Sequence, residues 1–214
     1  LGPSSVAIGN GMVYVGNRAD SKICGIHANT LKRGACFTFA PPSSGIAASP
    51  SGLIYIAATR ELWVTTGVPQ FGIAAKRRSI QILSASAPER LTFAGKIPLK
   101  GPAEGYALDD VFGVFYTNLK KTGETIAIDV RKRTIISTWR PCDDPRGIAV
   151  DSKRMFVFVA CGDRVLILDA AHDGYVLGTV TAGADIDNID YSRDSGLLYV
   201  AAAKAAQLTI AKID

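Results

Sequence analysis

The segment RGIAVDSKRMFVFVACGDRVLILDAAHDGYVLGTV, residues 146–180, holds four short apolar runs separated by turn residues. Arg146–Val150 begins with small side chains, and Asp151–Arg154 reverses the chain. Met155–Cys161 carries a central aromatic, Arg164–Asp169 alternates apolar and polar, and Tyr175–Val180 follows another turn. Short β-branched and aromatic runs bounded by Asp, Gly and Ser read as strands, and helical periodicity is absent. Four strands joined by tight turns form a small antiparallel sheet, which gains stability only by stacking on others like it.

Outward from this unit the pattern recurs. Tyr14, Tyr55, Tyr116, Phe158 and Tyr199 each sit in an apolar run, at intervals of 41, 61, 42 and 41 residues. The long interval reads as the same unit carrying an insertion of roughly 16–20 residues, and a β-rich period of about 40 is that of propeller blades. The first strands begin Ser5-Val6-Ala7, Ser44-Gly45-Ile46, Glu104-Gly105-Tyr106, Arg146-Gly147-Ile148 and Asp187-Asn188-Ile189. Small residues suit a strand beside the crowded axis. The expected fold is an all-β propeller of four-stranded antiparallel blades at about 2–40, 42–99 with an insertion at 59–79, 101–141, 143–182 and an incomplete 183–214. The missing last strand points to part of a seven-bladed ring, with a closed five-bladed ring as the competitor.

At 214 residues and 48% hydrophobic, the chain has ample core, and no apolar run is long enough to span a bilayer as a helix. It opens on Leu1-Gly2-Pro3 without an initiator Met, as expected of a processed or truncated N-terminus. The net charge of +5 allows contact with anionic surfaces, but its dense clusters are few, Lys76-Arg77-Arg78 and Arg131-Lys132-Arg133. Four cysteines allow three pairings. Folding the hairpin around Asp151–Arg154 brings Cys161 near Cys142, and folding Lys22–His27 onto Gly34–Phe39 sets Cys24 opposite Cys36. Facing positions suit a disulfide, so both pairs are expected, in an oxidising compartment. The alternative is buried thiols.

Val13-Tyr14-Val15-Gly16-Asn17 and Phe115-Tyr116-Thr117-Asn118 resemble the motif of the YVTN β-propeller repeats. Pro145–Asp151 followed by Cys161 resembles the YncE-like branch, including its paired cysteines. The similarity is good over residues 101–214 and weaker before. Thr and Asn of the motif are missing after Tyr55 and Tyr199, and the Asp that ends the third strand, kept at Asp129 and Asp169, becomes His27 and Ser84. The resemblance implies a seven-bladed, usually exported propeller of binding function, and it brings no catalytic residues.

The register places Ser5, Ser44, Glu104, Arg146 and Asp187 around the channel mouth, where Arg146 has Glu104 or Asp187 as a natural partner and could read a carboxylate or phosphate. Alternatively these residues only pair with one another. The insertion carries Trp63, Phe71, Lys76, Arg77 and Arg78, a lid or a stacking platform for nucleic acid over that mouth, or else a packed hairpin extension. Two histidines, His27 and His172, exclude a multi-histidine metal site, and no nucleophile elbow or phosphate loop occurs. Asp185, Asp187, Asp190 and Glu104 are the candidates for a Ca²⁺-dependent lactonase or lyase, although oxygen sites need six to eight ligands. The leading expectation is a non-catalytic periplasmic or secreted module that binds a small polar ligand or a protein, without a cofactor or metal. The nucleic-acid binder and the Ca²⁺ enzyme are the alternatives, as is a segment whose site lies on other blades.

Overall fold

The computed structural model describes residues 2–39, 49–67 and 78–214. The chain divides between Ala103 and Glu104 into two compact units. The first holds the sheet β1 (Pro3–Gly9), β2 (Met12–Asn17), β3 (Lys22–His27) and β4 (Arg33–Thr38), then the sheet β5 (Ser49–Ile56), β6 (Glu61–Gly67), β7 (Ser79–Ala87) and β8 (Arg90–Pro98). The second begins with β9 (Ala103–Asp109), β10 (Val114–Leu119), β11 (Glu124–Asp129) and β12 (Thr134–Trp139). A fourth sheet follows, of β13 (Pro145–Asp151), β14 (Phe156–Cys161), β15 (Arg164–Asp169) and β16 (Tyr175–Thr181). The fifth has three strands, β17 (Ile186–Ser192), β18 (Leu197–Ala202) and β19 (Gln207–Lys212). Every sheet is a meander in chain order, and the helix among the described residues is one 3-10 turn at Ala170–His172. The fold is the all-β propeller type expected, built of antiparallel blades.

The second blade departs from the expected reading. Tyr55 lies on the first strand of its sheet, paired with Leu62, rather than on the second. It matches Tyr191, which pairs with Leu198 in the fifth sheet. The third residue of each second strand is Tyr14, Trp63, Tyr116, Phe158 and Tyr199, so Trp63 is the blade aromatic. The true intervals are therefore 49, 53, 42 and 41 residues, and the excess falls in two places, before β5 and between β6 and β7. The insertion shrinks accordingly, because β6 occupies most of its first half. Tyr55 had kept the beat by coincidence of spacing.

These aromatics form the inter-blade core. Tyr14 stacks on Tyr55 of the next sheet at 6.1 Å, and Phe158 meets Tyr191 of the next sheet at 4.9 Å. Tyr116 stacks on Trp139 within its own sheet, and the pair packs against Val157 and Leu168. Tyr14, Trp63 and Phe158 are almost fully buried. A large ring at one repeated position fills the wedge between twisted sheets, where aliphatic side chains would leave voids.

Both expected disulfides are present, Cys24–Cys36 and Cys142–Cys161. The first joins directly paired residues of β3 and β4, and the second ties the end of β14 to the segment that leads into β13.

Candidate functional site

The inner strands bulge at their starts. Ser4 is the extra residue in β1, Ser51 in β5 and Asp187 in β17, and β13 carries one between Pro145 and Ile148. A bulge re-aims side chains and frees carbonyls from the ladder. Those carbonyls are then used between blades: Ser4 Oγ donates to Pro50 O at 2.8 Å, and Asn118 Nδ2 donates to Arg146 O at 2.7 Å. Asn118 Oδ1 also accepts from Thr125 Oγ1 at 2.6 Å, and Thr117 Oγ1 donates to Gly105 O at 2.6 Å. The Tyr-Thr-Asn stretch thus clamps one blade's second strand to the next blade's first. At Gly105 the backbone has φ +67°, and a Cβ would lie 2.3 Å from Arg146 O. Only glycine permits that approach.

Arg146 emerges at this bulge, about one-quarter exposed, among three carboxylates. Its Nε lies 3.2 Å from Asp144, and its Nη1 lies 3.0 Å from Asp185 and 3.7 Å from Asp187. Burial alone would lower the guanidinium pKa, but Asp144, Asp185 and Asp187 outweigh it and raise the value. Glu104 turns instead to Lys120, at 3.5 Å. The structure therefore joins Arg146 with Asp187, and Glu104 pairs elsewhere. Ser5 lies in the first unit, half-buried, with its Oγ buried and without a hydrogen-bond partner; its neighbour Ser4 makes the inter-blade bond. Ser44 lies outside the described residues.

Sequence reasoning missed Asp144 and Lys120, and it offered Asp185 as a Ca²⁺ candidate rather than as a partner of Arg146. Asp185 has φ +64°, the left-handed conformation that Asp and Asn tolerate at a turn before a strand. That turn aims its carboxylate back at Arg146, and the Gly183-Ala184-Asp185 run was the available signal. Three carboxylates, Asp144, Asp185 and Asp187, thus gather on Arg146, while Glu104 and Lys120 form a separate pair. Between the three inner strands lies a cleft of about 250 Å³ lined by Tyr106, Ile148, Ile189, Asp190, Tyr191 and Arg193, among others. Asp190 stands where the sister strands carry Ala107 and Ala149. At the turn end of the same strands Arg193 reaches Asp110 at 2.8 Å, and buried Asp151 accepts from Arg154 and from the Tyr191 hydroxyl, each at 2.9 Å.

Trp63 cannot serve as a stacking platform. It is buried, and its Nε1 donates to Glu61 at 3.0 Å. Arg78 donates to the carbonyl of Lys100, while Phe71, Lys76 and Arg77 lie outside the described residues. Among the described residues no three His, Cys, Asp or Glu converge as metal ligands. The Arg146 guanidinium itself takes the position between Asp185 and Asp187 that a cation would need. His27 pairs with Glu89 and His172 with Asp169, each in a surface contact. No helix among the described residues is long and apolar enough to cross a membrane.

No family model matches the chain, and no curated protein matches it. Solved structures do. A hydrazine synthase of Kuenenia stuttgartiensis is 11% identical with a TM-score of 0.59, over 99% of this chain and 83% of that one. A chain of a mitotic checkpoint complex is 12% identical with a TM-score of 0.75, over 95% of this chain and 58% of that one. This chain thus spans little more than half the length of the latter. Both neighbours are β-propeller-type folds, and at such identities the likeness establishes the fold: this chain is similar to them in being a β-propeller scaffold.

Proposed function

We propose that the protein is a non-catalytic binding module of the YVTN/YncE-like propeller class, working in the periplasm or outside the cell. In this reading the mouth formed by Glu104, Arg146 and Asp187, with Asp144, Asp185 and Lys120, holds a basic segment of a protein partner. The observation that carries it is Arg146 held by three carboxylates. A guanidinium already engaged in this way has little left for an incoming anion, whereas surplus carboxylates attract ammonium and guanidinium groups. The residues around Arg146 hold their positions through backbone bonds and a disulfide, which keeps the ordering cost of binding low. The two disulfides support an oxidising compartment. The mitotic checkpoint neighbour is part of a multi-protein complex, which is consistent with a propeller used for assembly.

The test is titration of a fluorescent Lys-rich peptide into the intact protein and into Asp185→Asn/Asp187→Asn. The expected result is saturable binding at low salt that weakens about tenfold in the double variant, roughly 1.4 kcal/mol. Arg146→Ala leaves the mouth more acidic and should bind the peptide at least as well. Loss of peptide binding in Arg146→Ala with a folded protein, or preference for an acidic peptide, would overturn this reading.

A further inference from the structure

The two units differ in charge far more than the whole chain suggests. Residues 1–103 contain 11 Lys and Arg against 3 Asp and Glu, a net charge of +8, whereas residues 104–214 contain 13 against 16, a net charge of −3. The three acids of the first unit are already engaged. Glu61 is buried and accepts from Trp63 and Thr59, Asp20 pairs with Lys22, and Glu89 pairs with His27. The basic residues described in this unit therefore have almost no neutralising charge left to them.

They also converge on one end of the unit. Arg18 and Lys22 flank the β2–β3 turn, where Asn17 pairs with Lys22. Arg78 precedes β7 and Lys100 follows β8, at the end where Ser79 pairs with Pro98, and Lys96 lies two residues along. The two sheets present these ends side by side, because Ser4 and Arg18 of the first both donate to Pro50 O of the second. Arg18, Lys96 and Lys100 are exposed, Lys22 and Arg78 half-buried, and Asp20 is the one acid at this end among the described residues. Five cations against one carboxylate, Asp20 beside Lys22, on adjacent strand ends, form a surface for a repeating anionic polymer.

We infer that this end of the 1–103 unit binds an acidic polysaccharide. A polymer fits better than a single anion, because the charges are spread over two sheets and do not close around a cavity. A polysaccharide fits better than nucleic acid on two grounds. Among the described residues the aromatics at this end, Phe37 and Phe39, are half-buried and buried and pack edge-to-face at 5.2 Å, so none of them offers an open ring for base stacking. The second ground, the oxidising compartment, rests on the reading proposed above; the affinity for polyanions does not.

The experiment measures retention of the intact protein on immobilised dextran sulfate and on uncharged dextran, with a 30-base-pair DNA duplex and vesicles containing phosphatidylserine as competitors. Binding to dextran sulfate alone is expected, with log affinity falling linearly against log salt by a slope of roughly −3 to −5. Lys96→Glu/Lys100→Glu should weaken it about tenfold or more at 50 mM salt and flatten the slope by about 2. The matched reversal in the other unit, Lys121→Glu/Lys153→Glu, should leave it unchanged. Equal losses in both variants, a wild-type slope near zero, or no retention at 50 mM salt would overturn the surface. More effective competition by the duplex or the vesicles at equal charge would overturn the polysaccharide. Neither result bears on the Lys-rich peptide at the Arg146 mouth, so the two proposals fail separately.

Discussion

Asn118 shows how one side chain carries information between blades. It is fully buried, and its amide satisfies Arg146 O and Thr125 Oγ1 at once. Asn118→Ala leaves a buried carbonyl and a buried hydroxyl short of a partner, so the expected cost is about 2–3 kcal/mol in urea unfolding. Exposed Asn10 should cost well under half of that. Asp151 is the second such residue. Burial alone would raise its carboxyl pKa, but hydrogen bonds from Arg154, the Tyr191 hydroxyl and the backbone N–H groups of Arg154 and Lys153 hold it below the usual range. With a depressed folded value, its contribution is complete above the unfolded pKa of about 4 and is lost as pH falls through the folded value. The urea midpoint should therefore fall as pH drops below about 4, and Asp151→Asn should flatten that profile while lowering the plateau at neutral pH. A variant whose profile parallels the wild type would show that other carboxylates carry the acid sensitivity. Tyr116, pushed up to about 12 by burial and then by Asp109, stays neutral throughout this range.

At the scale of strands and sheets, the repeated turns and alternations in the sequence are enough to mark out the blades, but not to number the strands of the second one. Tyr55 and Trp63 are both aromatics in apolar runs, eight residues apart, and nothing local decides which belongs to the second strand. Register decides it: Tyr55 faces Leu62 across a hairpin whose turn is at residues 57–60. The fourth strands carry a feature that alternation alone does not show, an extra residue at Ala94, Ile136 and Leu177 against their third strands. Such bulges twist the outer edge away from regular pairing and discourage association through that edge. The disulfides act at this scale too. Cys142–Cys161 pins the segment bearing Asp144 and Arg146 to the end of β14. Replacing both cysteines with serine should lower stability by about 2–4 kcal/mol and also loosen peptide binding at the mouth. The Cys24→Ser/Cys36→Ser variant should lose stability without that second effect, because its bridge lies in the other unit. Peptide titration of both variants, alongside urea unfolding, separates the two outcomes.

At the scale of the whole molecule, composition misleads by averaging. A net charge of +5 describes neither unit, since one carries +8 and the other −3. The protein should therefore be retained at low salt and pH 7 on a cation exchanger and also on an anion exchanger, the latter through residues 104–214; flow-through on the anion exchanger would mean the acidic side chains are neutralised by their local partners. The sequence by itself determined the all-β class, the blade period, the four inner strands that begin near Pro3, Ala103, Pro145 and Ile186, and both cysteine pairings. Each follows from local alternation, turn chemistry and hairpin register, which act over a few residues. Only the tertiary structure decided that Trp63 is core, that Tyr55 belongs to a first strand, and that Arg146 faces Asp144, Asp185 and Asp187 rather than Glu104. Those outcomes depend on bulges, which shift the register by one residue and so redirect the side chains, and on how one sheet meets the next. No local pattern encodes either.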